Sequence, residues 1–244
     1  MADRFFVEQP IQAATARLAG AEAHHLLHVM RGKPGDTVKL FDGAGNEYLA
    51  QITRLGRRDV ELAVIETTPI DRELPLRITL AVALPPGDRQ HWLVEKATEL
   101  GVAVVIPLVT ERGNPVSEAT LTKLRRAVIE ASKQCGRNRL MDIAAPRRWT
   151  DFAQHAEASA RYIGEIGAEP WRPAYESSHW STEVLIAIGP VGDWTAAELA
   201  LARQHAWRSI GLGPRILRVE TAALATVATL ACHAQAQAPA PNPK

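Results

Sequence analysis

The run Val184-Leu185-Ile186-Ala187-Ile188 has no polar side chain, and it ends at Gly189-Pro190. An unbroken apolar stretch of this length, closed by turn residues, reads as a strand buried on both faces. A sheet of such strands needs helices over both of its sides. This one feature therefore points to a layered α/β domain with a mainly parallel sheet. The neighbouring sequence keeps the same alternation. Residues 76–84 read as a strand with an apolar core, and Pro85-Pro86-Gly87-Asp88 as the loop after it. A helix is expected over 89–100, with Leu93, Ala97 and Leu100 on one face and Gly101 in the C-cap position. Residues 102–109 are a further apolar strand. Leu121, Leu124, Val128, Ala131 and Cys135 then step by 3 and 4 along a helix from about Glu118. Residues 161–166 give another strand. Thr195-Ala196-Ala197-Glu198 is a capping box that opens a helix after 184–188.

The N-terminal part has a different texture. Residues 20–30 place Ala23, Leu26, Leu27 and Met30 at helical spacing. Asp36 to Phe41 and Glu47 to Thr53 form a hairpin around Asp42-Gly43-Ala44-Gly45-Asn46, and 59–65 add a strand. Short strands with glycine turns predict a small β-barrel. Residues 67–73 are polar and proline-containing, a linker. The expected organisation is a β-rich domain over 1–70, an α/β domain over 74–234 and a disordered Ala/Pro tail over 235–244.

Composition excludes several classes. With 46% apolar and 23% charged residues the chain is globular. No apolar run reaches the roughly 18 residues that a membrane helix needs, and the opening Met-Ala-Asp-Arg-Phe-Phe lacks a signal-peptide layout. Cys135 and Cys232 are too few and too far apart for a disulfide scaffold or metal site, which fits a reducing cytoplasm. Lysine and arginine total 28 against 27 acidic residues, a net charge of +1, so any nucleic-acid face must come from local clustering.

Chemistry is expected where two glycine-proline loops leave the sheet. One is Ile188-Gly189-Pro190-Val191-Gly192-Asp193-Trp194, the other Gly211-Leu212-Gly213-Pro214, which follows a short apolar segment. A helix with an almost uncharged interior, 221–232, comes next. Strand-to-helix junctions of this kind expose backbone donors and acceptors at the C-terminal edge of a sheet, where α/β proteins bind small ligands.

Ile-Gly-Pro-x-Gly, followed by Leu212-Gly213-Pro214-Arg215-Ile216-Leu217-Arg218-x-Glu220-Thr221-Ala222, resembles the C-terminal signature of the RsmE family. These are ribosomal RNA methyltransferases of the SPOUT superfamily that modify N3 of a uridine in 16S RNA. Further matches are His24-His25-Leu26 with Val29-Met30-Arg31, Lys96-Ala97-Thr98-Glu99-Leu100-Gly101, Glu111-Arg112, and Glu130-Ala-x-x-Gln134-x-x-Arg137. The chain departs from the family at Val191-Gly192-Asp193-Trp194, where Glu-Gly-Gly-Phe is usual. The resemblance implies a PUA-like or OB-like N-terminal barrel, a SPOUT-type α/β domain with a C-terminal deep trefoil knot, and a homodimer formed through that domain. It implies S-adenosylmethionine as cofactor, held by Ile188, Gly189, Pro190, Gly192, Leu212, Gly213, Ile216, Leu217 and Thr221. The RNA partner would be 16S rRNA in the small ribosomal subunit, met by Arg4, His25, Arg31, Lys33, Arg137 and Arg139.

Nothing in the sequence supplies a nucleophile-base pair, which fits a transfer in which the substrate nitrogen itself attacks the methyl. The N3 proton must leave, and Arg112 or Arg218 is the candidate to stabilise the uridine anion. On spacing alone Glu111-Arg112 reads more readily as a surface ion pair and Lys96/Glu99 as a helix salt bridge. Gly211-x-Gly213 lacks the third glycine of a dinucleotide fingerprint. His24, His25 and His28 have no partners at ligand spacing, so no metal is expected. Of the six tryptophans, Trp194 is the one placed to meet a bound base. Two other functions fit the same signature: an RNA-binding protein of this fold that has lost catalysis, and a SPOUT enzyme acting on transfer RNA.

Overall fold

The computed structural model describes residues 4–12, 14–158, 160–172 and 183–237. They divide into two compact units, Met1–Glu73 with Ile129–Leu140, and Leu74–Val128 with Met141–Lys244.

In the first unit, strands β1 (Arg4–Phe6), β2 (Thr15–Ala19), β3 (Thr37–Phe41), β4 (Asn46–Leu55) and β5 (Asp59–Pro69) form one sheet in the order β1-β3-β4-β5-β2. The β1/β3 pair is parallel and the others antiparallel. Among the described residues the path ends at β1 and β2 without closing, so the expected barrel is an open half-barrel. Register shifts at Leu49/Ala50 and Ile52/Arg54 mark irregularities in the β4/β5 pairing, and bulges of this kind bend a sheet. Helix α1 (Gly20–His24) passes directly into a π-helical turn, His25–Val29. It buries Ala23 and Leu26 among Phe5, Leu40, Ile52 and Leu62 of the sheet.

Two arginines with buried side chains tie residues 129–140 into this unit. Arg4 donates from Nη1 to the Ser132 carbonyl at 2.5 Å and from Nη2 to the Arg137 carbonyl at 3.0 Å and to Asn138 Oδ1. Its guanidinium also lies 4.0 Å from the centre of the Phe41 ring. Burial pulls the Arg4 pKa down, with Glu47 pushing the other way. Arg137 grips Glu73 with two groups, Nε to Oε1 at 2.9 Å and Nη2 to Oε2 at 2.5 Å. A two-pronged pair of this kind fixes geometry as well as charge.

The second unit contains β6 (Arg77–Val82), α2 (Asp88–Glu99), β7 (Val104–Val109), β8 (Asp142–Ile143), β9 (Arg147–Arg148), α4 (Trp149–His155), β10 (Ala160–Gly164), β11 (Glu183–Ile188), α5 (Ala196–Gln204), β12 (Arg208–Ile210) and α6 (Val219–Gln237). Helix α3 (Glu118–Cys135) begins here, and its last turns group with the first unit. The sheet is parallel throughout, in the order β12-β10-β11-β6-β7-β8, with β9 also on β7. After α2, Gly101 N–H donates to the Thr98 carbonyl and Val102 N–H to that of Ala97, with Gly101 at φ 85°, a Schellman ending. Trp149, Trp194 and Trp207 meet in the core, with Trp149 4.5 Å from Trp194 and 5.1 Å from Trp207 between ring centres. Helix α6 extends through Gln237, so residues 235–237 of the expected tail are helical; its remainder lies outside the described residues.

β12, β10 and β11 are neighbours, so their C-terminal ends fall side by side. Gly164 pairs with Ile210, and a β-carbon at Gly164 would stand 3.0 Å from Ile188 Cδ1. Just beyond β12, Gly211 exchanges backbone hydrogen bonds with Glu169 and Trp171, and a β-carbon there would lie 2.1 Å from the Ala168 carbonyl oxygen. Backbone cannot yield to that contact as a flexible side chain can. Gly211→Ala should destabilise the protein by about 2–3 kcal/mol, measured by urea unfolding.

Candidate functional site

A cavity of about 520 Å³ opens where β10, β11 and β12 end. Its floor is apolar: Ile188, Ile210, Leu212, Leu217 and Ala222 all line it. Around these stand three cations, Arg89, Arg215 and Arg218, and two carboxylates, Glu165 and Asp193. The volume and the mixture of apolar walls with a few polar groups suit one small organic ligand.

The loop after β11 owes its course to Trp194. That side chain is 4% exposed and donates its indole N–H to the Gly164 carbonyl at 3.0 Å. It lies so close beneath Gly189 that a β-carbon there would meet the ring at 2.9 Å. Pro190 accepts a turn hydrogen bond from Asp193 N–H at 3.1 Å, and the turn runs through Gly192 at φ 93° and Asp193 at φ 64°. Arg112, in the segment after β7, donates from Nη1 to the Gly192 carbonyl at 2.6 Å.

The expected capping box follows. Thr195 caps α5 by accepting from Glu198 N–H, and Glu198 Oε2 accepts from Thr195 N–H at 2.9 Å. The other oxygen of this buried carboxylate accepts from Glu111 N–H at 2.9 Å. The second loop passes through Gly213 at φ 99° and carries Ile216 into solvent, 81% exposed. At its end Arg89 Nη1 lies 3.7 Å from Glu220, a buried carboxylate whose Oε2 has no hydrogen-bond partner among the described residues.

Of the residues expected to hold a cofactor, Ile188, Gly189, Pro190, Gly192, Leu212, Gly213, Ile216 and Leu217 all line this cavity. Thr221 does not; it is exposed on α6, and Ala222 is the residue that turns inward. Arg218 lines the cavity, whereas Arg112 acts on the Gly192 carbonyl from outside the lining. Trp194 is buried in the core, so it packs rather than offering a face to a base. Sequence reasoning missed Arg89, Glu165 and Ile166. Glu165 and Ile166 sit at the end of an expected strand, but nothing local says that this end adjoins 188 and 210. Glu165 accepts from Arg203 Nη2 at 2.6 Å and from Ser209 Oγ.

The expected RNA contacts divide by burial. His25, Arg31, Lys33 and Arg139 are exposed. The side chains of Arg4 and Arg137 are buried and engaged, as described, and take structural positions instead of phosphate-facing ones. Arg31 stands at φ 55°, just past the π-helical turn that also exposes Val29. His24 and His28 rings lie 4.7 Å apart. Among the described residues no group of three or more His, Cys, Asp or Glu is placed to hold a metal ion.

Comparison with known proteins places these features in a family. The RNA methyltransferase domain family matches residues 72–231, and the RNA methyltransferase PUA domain family matches residues 18–65. Ribosomal RNA small subunit methyltransferase E of Synechocystis is 35% identical over 229 residues, which cover 91% of this chain and 74% of that protein. The protein of the same name from Bacillus subtilis is 33% identical over 241 residues, covering 91% and 93%. Among solved structures, the Neisseria gonorrhoeae methyltransferase of this name, bound to S-adenosyl methionine, superposes with a TM-score of 0.86 at 29% identity, covering 96% of this chain and 98% of that one.

The division of the cations by burial is open to direct test. Arg4→Ala leaves the Ser132 and Arg137 carbonyls without their donor and should cost about 3 kcal/mol of stability. Arg31→Ala and Lys33→Ala should stay within about 0.5 kcal/mol of the parent protein. Urea unfolding of the three variants reads both.

Proposed function

This chain belongs to the RsmE family of ribosomal RNA small subunit methyltransferases, and from that premise we propose that its cavity holds S-adenosylmethionine and methylates N3 of a specific uridine in 16S ribosomal RNA. The observation that carries the reading is the convergence of both glycine-proline loops on one cavity at the C-terminal edge of a parallel sheet. The residues present fit the cofactor. Ile188, Leu212 and Leu217 offer apolar walls to adenine, and the loop backbones supply donors and acceptors. Bound there, S-adenosylmethionine supplies an electrophilic methyl group.

The chain's own residues do the rest. The two loops would hold the cofactor beside the base, a proximity effect needing no protein nucleophile. Loss of the N3 proton leaves negative charge on the uracil ring. Arg218, which lines the cavity and faces solvent, is the guanidinium we assign to stabilise it. Arg89 and Arg215 add positive charge around the opening, which favours an RNA strand. The target base must leave its stack to reach this depth. His25, Arg31, Lys33 and Arg139 would hold RNA from the PUA-like unit. We further assign to the second unit the trefoil knot and the homodimer of the SPOUT superfamily. The crowding of β12, β10 and β11 with their two loops supports the first of these. No described helix is long and apolar enough to cross a membrane; we assign the protein to the cytoplasm because that is where its proposed ribosomal RNA substrate is.

The test is methyl transfer from labelled S-adenosylmethionine to small ribosomal subunits from a strain lacking its own uridine-N3 enzyme, with the nucleotide mapped by mass spectrometry. The methyl should appear on uridine N3 and should disappear in Ala222→Trp, which fills the cavity from α6, and in Gly213→Trp. Cofactor binding without transfer would instead favour an RNA-binding protein with lost catalysis. A methyl on ribose, or transfer only to transfer RNA, would move the substrate assignment.

A further inference from the structure

We propose that Arg112 is a positioning residue for the cofactor loop, holding its left-handed Gly192–Asp193 turn in the shape that lines the cavity. The inference rests on the reading of that cavity as the S-adenosylmethionine site. Its starting point is the turn itself. Gly192 at φ 93° and Asp193 at φ 64° are consecutive left-handed residues. Glycine adopts such angles freely; a residue with a β-carbon does so at a cost, smaller for aspartate than for most. A turn with this built-in opposition relaxes unless something over-determines it.

Three contacts do so. The Asp193–Pro190 hydrogen bond closes the turn from within, at 3.1 Å. Trp194 anchors its C-terminal end through the Gly164 carbonyl, at 3.0 Å. Arg112 holds its outer side through the Gly192 carbonyl, at 2.6 Å. The first two belong to the loop and its immediate continuation. Arg112 comes from 80 residues away in sequence, and its own base is fixed. Glu111 N–H donates to Glu198 Oε1, and Glu198 Oε2 accepts from Thr195 N–H, the residue that ends the loop. One carboxylate, 7% exposed, therefore sets the spacing between the arginine's root and the loop's end.

Arg112 meets the loop through its backbone and is absent from the cavity lining, whereas Gly192 and Asp193 both belong to it. Whatever it does for a ligand, it does through them. That separates it from Arg218, which itself lines the same cavity.

The test uses the full chain, with S-adenosylmethionine affinity by calorimetry, transfer to small subunits at saturating cofactor, and unfolding of the ligand-free protein. Arg112→Ala should raise the cofactor Kd about tenfold through lost preorganisation, with kcat at saturating cofactor within about threefold of the parent. Asp193→Gly added to it should recover at least about threefold in Kd, because glycine reaches φ 64° without the opposition. A fall in kcat of about a hundredfold with Kd unchanged, and no recovery on adding Asp193→Gly, would overturn the proposal and make Arg112 a catalytic residue. Should the parent protein bind no S-adenosylmethionine, the cofactor reading fails, and unfolding still decides the tether. Non-additive stability of Arg112→Ala and Asp193→Gly supports it, and additivity sinks it.

Discussion

The site depends on one constraint, the side-by-side ending of three parallel strands. Parallel pairing of β12 with β10 and of β10 with β11 aligns Ile210, Gly164 and Ile188 at the same edge. Each chain leaving that edge must turn in a space its neighbours also use. Glycine is needed at Gly211, where a β-carbon would strike the Ala168 carbonyl, while at Gly164 a β-carbon would press on the end of the Ile188 side chain. The cavity lies between the loops that leave this edge. Its lining combines apolar side chains from both loops with Arg89, Arg215, Arg218, Glu165 and Asp193.

Much of this was legible in the sequence, for identifiable reasons. The strands β7 and β11 carry unbroken apolar runs, β6 carries one broken only at Thr79, and the helices α2 and α3 step at 3 and 4. The capping box Thr195/Glu198 and the C-cap at Gly101 are short-range devices with fixed chemistry, and both form as written. So do the Lys96–Glu99 contacts, at 2.8 Å along one helix face. β1 and β2 were not legible: three and five residues long, they lie at the edges of their sheet and owe their extended form to their partners. α4 was missed too. Its seven residues carry Trp149 and Phe152 into the core, a tertiary reward that no local pattern announces.

The candidate site divides along the same line. Loop residues could be named because glycine, proline and the family signature mark them. Which cations are free to meet RNA could not. Arg4 and Arg31 look alike in sequence, yet one is enclosed by carbonyls and the Phe41 ring while the other faces solvent. Trp194 made the opposite impression from its role: its neighbourhood suggested a stacking platform, and packing against Gly189 and Trp149 makes it the loop's foundation. Arg89 became visible only when α2 was seen to begin beside α6.

The division of the chain has its own consequence. Residues 129–140 belong with the N-terminal sheet, bound to it through Arg4 and by Arg137 to Glu73, although they follow some fifty-five residues of the α/β unit. Neither unit is therefore a contiguous stretch of polypeptide. A recombination event with a single crossover near residue 73 would carry off the sheet and leave behind the segment that supplies the acceptors of Arg4 and the arginine partner of Glu73. The two halves can be inherited together or redesigned together, but one cut cannot trade either as a cassette.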